Sequence, residues 1–260
     1  MQKEKKEENR KVVARAIGRS ESEERSWKAL ERFRDEGKEN RIKKIRAIGN
    51  RPKGNDEEIF ILVEGIRNED LEVRVNSAWA LSKVAEEGHD ISMAFGYLKK
   101  ELSSEDNMLK EYAISALSVA AWQGADVSFA KDEIVKLLSH EQPSIRMKAL
   151  SAVLYNAHEG KDVSYAYKEI AKLLADEYPI IRSTALKAIK KATENCPEEH
   201  QEELERLLLD VLYSNAFDSI EPHERANLEE ELRKVIESIG SYNEFEARKK
   251  EEKGEERTIN

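Results

Sequence analysis

The chain has 260 residues, 37% of them charged and 39% hydrophobic, with a formal net charge of −9. That charge content is well above the ~25% of an ordinary soluble domain, and no apolar run approaches the ~18 residues that a membrane helix needs. A single cysteine, Cys196, excludes an intramolecular disulfide and a cysteine-built metal site, and the charged first eight residues lack a secretory apolar core, so the expectation is a cytoplasmic protein.

In chain order, residues 1–19 are strongly charged and read as a tail or frayed helix. Ser20-Glu21-Ser22-Glu23 has the form of a capping box opening a helix through Trp27, Leu30 and Phe33. Residues 41–49, with Ile45 and Ile48, predict a second helix, and residues 56–67 a third.

A string then recurs every 36 residues. It opens on Val73-Arg74, Leu109-Lys110, Ile145-Arg146 and Ile181-Arg182, and it carries Ala80, Ala116, Ala152 and Ala188 at one fixed place. Positions 73, 77, 80, 81 and 84 and their equivalents are small or apolar, following one helical face, with the Ala column allowing close approach. Asn156 interrupts that stripe near a helix end, where water or a carbonyl is expected to satisfy it.

Gly88, Gly124 and Gly160 follow this helix where a left-handed cap residue belongs. Asp and Ser come two and four residues later, offering an N-cap to the next helix, which carries Ala94, Leu98 and Leu102 and their equivalents. The unit is a hairpin of two antiparallel helices. Beyond Ala192 the register slips, and residues 197–213 and 222–239 predict a longer final pair. The organisation is a repeat domain over residues 20–240 and a charged tail over 241–260. The fold class is all-α: a right-handed superhelix of about five helical hairpins, each buried by its neighbours.

The string Asn68-Glu69-Asp70-Leu71-Glu72-Val73-Arg74, followed by Ala80-Leu81, resembles the HEAT repeat. Armadillo units would need a third helix within the 36 residues. In HEAT proteins an Asp and an Arg at the inter-helix turn link successive units. The resemblance implies an incomplete ladder here, because the positions equivalent to Asp70 in the last two copies are Gln142 and Tyr178. The resemblance covers residues 20–240 and implies a binding surface on the second helix of each unit.

His140-Glu141 and His223-Glu224 resemble the His-Glu pairs of deoxyhypusine hydroxylase, a HEAT-like di-iron enzyme, but the equivalents of His140 are Ser104 and Asp176. The ligand set of that family is absent, and no phosphate loop or nucleophile elbow is present, so the expectation is no enzyme, no metal and no cofactor.

The non-core positions of the second helices hold bulky residues in columns that elsewhere hold Ser, Lys, Glu or Val: Trp79, Trp122 and Tyr155, with Tyr112, Met147 and Leu154 beside them. They are the candidate anchors for a protein or peptide, basic or amphipathic given the acidic flanks. Seam packing between repeats is the alternative role for these rings.

Arg41, Lys43, Lys44, Arg46, Arg51 and Lys53 form a second candidate, a basic segment free of acids. Residues 1–55 hold 18 Lys/Arg against 10 Asp/Glu, whereas 198–260 hold 9 against 19. Phosphate contact is the competing function for that segment. The basic residues do not continue down the stack, which favours a protein-binding scaffold or adaptor over a nucleic-acid module. An assembly role through attraction between oppositely charged ends is a third reading.

Overall fold

The computed structural model describes residues 21–256, with side chains over 24–239. The expectations for residues 1–19 and for the Ser20 cap lie outside the described residues, as do residues 257–260. Within the described residues there are twelve α-helices, four short 3-10 turns and no strand. The chain divides into two compact units, residues 1–120 and 121–260.

The first unit holds α1 (Glu21–Asp35), α2 (Lys38–Asn50), α3 (Asp56–Ile66), α4 (Leu71–Glu86), α5 (Phe95–Glu101) and most of α6 (Asn107–Trp122). Here α1 packs on α3, α2 on α4, and α3 on both α4 and α5. The second unit holds α7 (Lys131–Leu138), α8 (Pro143–His158), α9 (Tyr167–Leu173), α10 (Pro179–Glu194), α11 (Glu198–Tyr213) and α12 (Pro222–Glu256). There α7 packs on α8, α8 on α10, α9 on α10 and α11, and α12 on α11 and α10. Alternate helices therefore lie side by side, α1 with α3 and α2 with α4 in the first unit, α8 with α10 and α9 with α11 in the second, giving two layers in each unit.

The 36-residue period is carried into the backbone. Helices α4, α6, α8 and α10 start at 71, 107, 143 and 179 and end at 86, 122, 158 and 194. Their starts are set locally. Asp70 accepts the N–H groups of Glu72 (2.9 Å) and Val73 (3.3 Å) ahead of α4, while Pro143 and Pro179 occupy the first turn of α8 and α10, where a missing N–H costs nothing.

The ends of α4, α6 and α8 are set by glycine. Gly88, Gly124 and Gly160 all have positive φ, 86°, 89° and 70°. At the first and third, the glycine N–H bonds back to Ala85 or Ala157 and the next N–H to Val84 or Asn156. This pair of bonds closes a helix only when the glycine position is left-handed. The Asp of each loop then accepts the N–H of the Ser two residues on, at 2.8 Å in all three copies. That bond opens a 3-10 turn (Ser92–Ala94, Ser128–Ala130, Ser164–Ala166) rather than the α-helix directly.

The stripe expected to be core is core. Every one of its 20 positions is buried, including Ala116 and Ala152 at 0% exposure. Asn156 is fully buried within this stripe, with its side chain beside the Tyr165 hydroxyl.

Two columns at the inter-helix turns carry the polar framework. Asn68, Ser104, His140 and Asp176 stand 36 residues apart, and each accepts the backbone N–H two residues on, at 2.9, 3.2, 3.0 and 2.9 Å. Arg74, Arg146 and Arg182 each place Nη1 on the two carbonyls five and six residues before them. The other face of the guanidinium then reaches an acid further along the chain: Glu101 for Arg74, Asp176 for Arg146, Glu224 for Arg182. The ladder expected to break at Gln142 and Tyr178 is present, with its acid supplied from a different position.

Candidate functional site

In the first unit the packing of α2 on α4 is close at one point. A Cβ on Gly49 would collide with the Trp79 ring, so the glycine lets the ring lie flat against α2. Trp79 is consequently half-buried and seals part of this seam. Its remaining face opens onto a groove of about 730 Å³. Leu71, Val75 and Trp79 of α4 form one wall, Met108 and Tyr112 of α6 the other, and Arg46 of α2 reaches the end. Leu71 is 41% exposed and Met108 57%. Two apolar side chains at the starts of helices are thus left in water beside two half-buried rings.

The rim is polar and ordered. Lys38 bridges Asp70 (3.0 Å) and Glu72 (2.9 Å). Bonds to Glu72 and Asp70 raise the Lys38 ammonium above its usual range, and the Lys38 bond holds the Asp70 carboxyl below its own. Arg46 Nε donates to Asn76 Oδ1 at 2.7 Å, and Asn76 Nδ2 donates to the Glu72 carbonyl at 2.7 Å, so the guanidinium is held at a fixed place. A recess of about 670 Å³ along the open face of α2 adds Lys43 and Ala47 and shares Lys38, Arg46, Asn50 and Glu72 with the groove.

The basic segment does not act as one cluster. Arg41 donates from Nε to the Phe33 carbonyl at 3.1 Å and from Nη2 to the Arg34 carbonyl, capping the end of α1. Lys44 lies 3.8 Å from Glu36, and both cations sit 5.9 Å from the Phe33 ring centre. These two are structural. Lys43, Arg46, Arg51 and Lys53 are exposed and face no acid within ion-pair distance among the described residues.

In the second unit, Trp122 is 63% exposed at the end of α6, and Met147 and Tyr155 are half-buried on α8. Leu154, expected on the open face, is instead buried, at 9% exposure. Its 36-residue equivalents Ser118 and Ser82 are buried too, at 6% and 2%. That column turns toward the packed layer, and the run of small residues in it was the available signal. The structure thus brings together Trp79 and Tyr112, and adds Leu71 and Met108. The sequence reading passed over these two because they precede the core stripe by one or two residues and fit no repeated column.

His140 is explained by its place in the turn column: Nδ1 accepts the Gln142 N–H, the same task that Asn68, Ser104 and Asp176 perform. Among the described residues no group of three or more His, Cys, Asp or Glu is placed to hold a metal, and no helix is long and apolar enough to cross a membrane.

No family model matches the chain, and no curated protein matches it. Solved structures do. A computationally designed armadillo repeat protein for modular peptide recognition aligns with a TM-score of 0.64 at 17% identity, over 80% of this chain and 98% of that one. A designed armadillo repeat protein in complex with a (KR)4 peptide gives 0.62 at 17% identity over the same shares. An engineered protein from a structural genomics programme gives 0.58 at 18% identity, over 88% and 96%. At these identities the likeness is one of fold. The chain is a helical-repeat protein of the α-solenoid class.

Proposed function

We propose that this chain is a non-enzymatic, cytoplasmic scaffold that holds an amphipathic segment of a protein partner in the groove between α4 and α6. The observation that carries the reading is the exposure of Leu71 and Met108 around the half-buried Trp79 and Tyr112. Large apolar side chains gathered in one concave place, ringed by ordered polar groups, are the composition of an anchor site rather than of ordinary surface. The peptide-recognition role of the designed armadillo neighbours supports it by fold analogy. We read the repeat as HEAT-type, since the 36-residue unit has two α-helices, joined in three copies through a short 3-10 turn, and a basic residue, arginine in three of four copies, at the inter-helix turn.

The test is photo-cross-linking from position 108, with position 213 as control, because Tyr213 is 75% exposed and lies on α11, outside the groove. A partner segment captured from 108 and not from 213, whose synthetic peptide then changes Trp79 fluorescence, is the expected result. Equal capture from both positions, or a captured peptide without effect on Trp79, refutes the groove.

A further inference from the structure

We draw no further inference here: the strongest candidate, the cleft of about 320 Å³ lined by Cys196 in the loop between α10 and α11 and by Ser238 and Ile239 of α12, carries nothing, because it rests on a lone cysteine and the free side-chain oxygen of the buried Gln201 beside it is sealed from solvent and so from any ligand.

Discussion

Arg146 grips the Asp176 carboxylate with two parallel bonds, Nε to Oδ2 at 2.8 Å and Nη2 to Oδ1 at 3.0 Å, across thirty residues of chain. The remaining Nη1 holds the carbonyls of His140 and Glu141, so one guanidinium fastens its own turn and the next. The Arg146 and Asp176 side chains are 10% and 5% exposed, and Asp176 raises Arg146 above its already high range. Asp176 in turn accepts the Tyr178 N–H at 2.9 Å and so shapes the start of α10.

Breaking this pair leaves a buried charge without its counter-ion. Arg146→Ala or Asp176→Ala should each destabilise the second unit by about 3–5 kcal/mol, the usual cost of removing one partner of a buried bridge. Arg146→Lys should recover only a minor part, because an ammonium cannot reproduce the fork. Urea denaturation of the variants decides. Losses below about 0.5 kcal/mol would show that the fork is incidental.

The turn column makes a different prediction for His140. If its task is to accept the Gln142 N–H, then His140→Asn, which installs the residue found at position 68, should match wild type in melting temperature. His140→Ala should lose about 1 kcal/mol, as for other capping side chains. Added zinc or iron(II) should shift neither melt. A metal-dependent rise in wild type that His140→Asn abolishes would return the His140-Glu141 pair to consideration as a ligand site.

Much of this framework was legible in the residues. The 36-residue spacing gave the α4, α6, α8 and α10 boundaries, and the glycines at 88, 124 and 160 gave their left-handed ends, because only backbone geometry was at stake. What stayed hidden depends on distances between chain segments. Asp176 is 30 residues from Arg146 and stands two residues before Tyr178, the place where the resemblance looked for the acid. Leu154 looked like an anchor because it stands beside Tyr155, yet a residue one step round a helix points about 100° away, enough to move it into the packed layer. Arg41 read as part of a basic run, and only the fold shows its guanidinium spent on the end of α1.

Ala116 and Trp122 lie in one helix and should respond in opposite ways. Ala116 has no exposed surface, so Ala116→Trp must displace packed neighbours and should cost well over ~3 kcal/mol, the upper range for smaller overpacking changes. Trp122 is 63% exposed, and Trp122→Ala should stay within about 0.5 kcal/mol of wild type. Thermal melts of the two variants check the core face directly, and a silent Ala116→Trp would mean that the Ala column does not face the packed layer.

The first unit also carries a pH-dependent element. Arg34 binds Glu64 through Nε–Oε1 at 2.6 Å and Nη2–Oε2 at 2.9 Å, and that bond, more than the opposing effect of burial, holds the Glu64 carboxyl below its ordinary value of 4.5. A carboxyl whose folded value is depressed binds fewer protons folded than unfolded near its ordinary value. The stability it adds is therefore complete above pH 4.5 and is lost as pH falls from there through the depressed folded value. Glu64→Gln removes that contribution at neutral pH and flattens the acid limb. Urea midpoints measured from pH 7 down to pH 3 should converge for wild type and Glu64→Gln at the acid end. Curves that stay parallel would assign the acid sensitivity of this unit to other carboxylates.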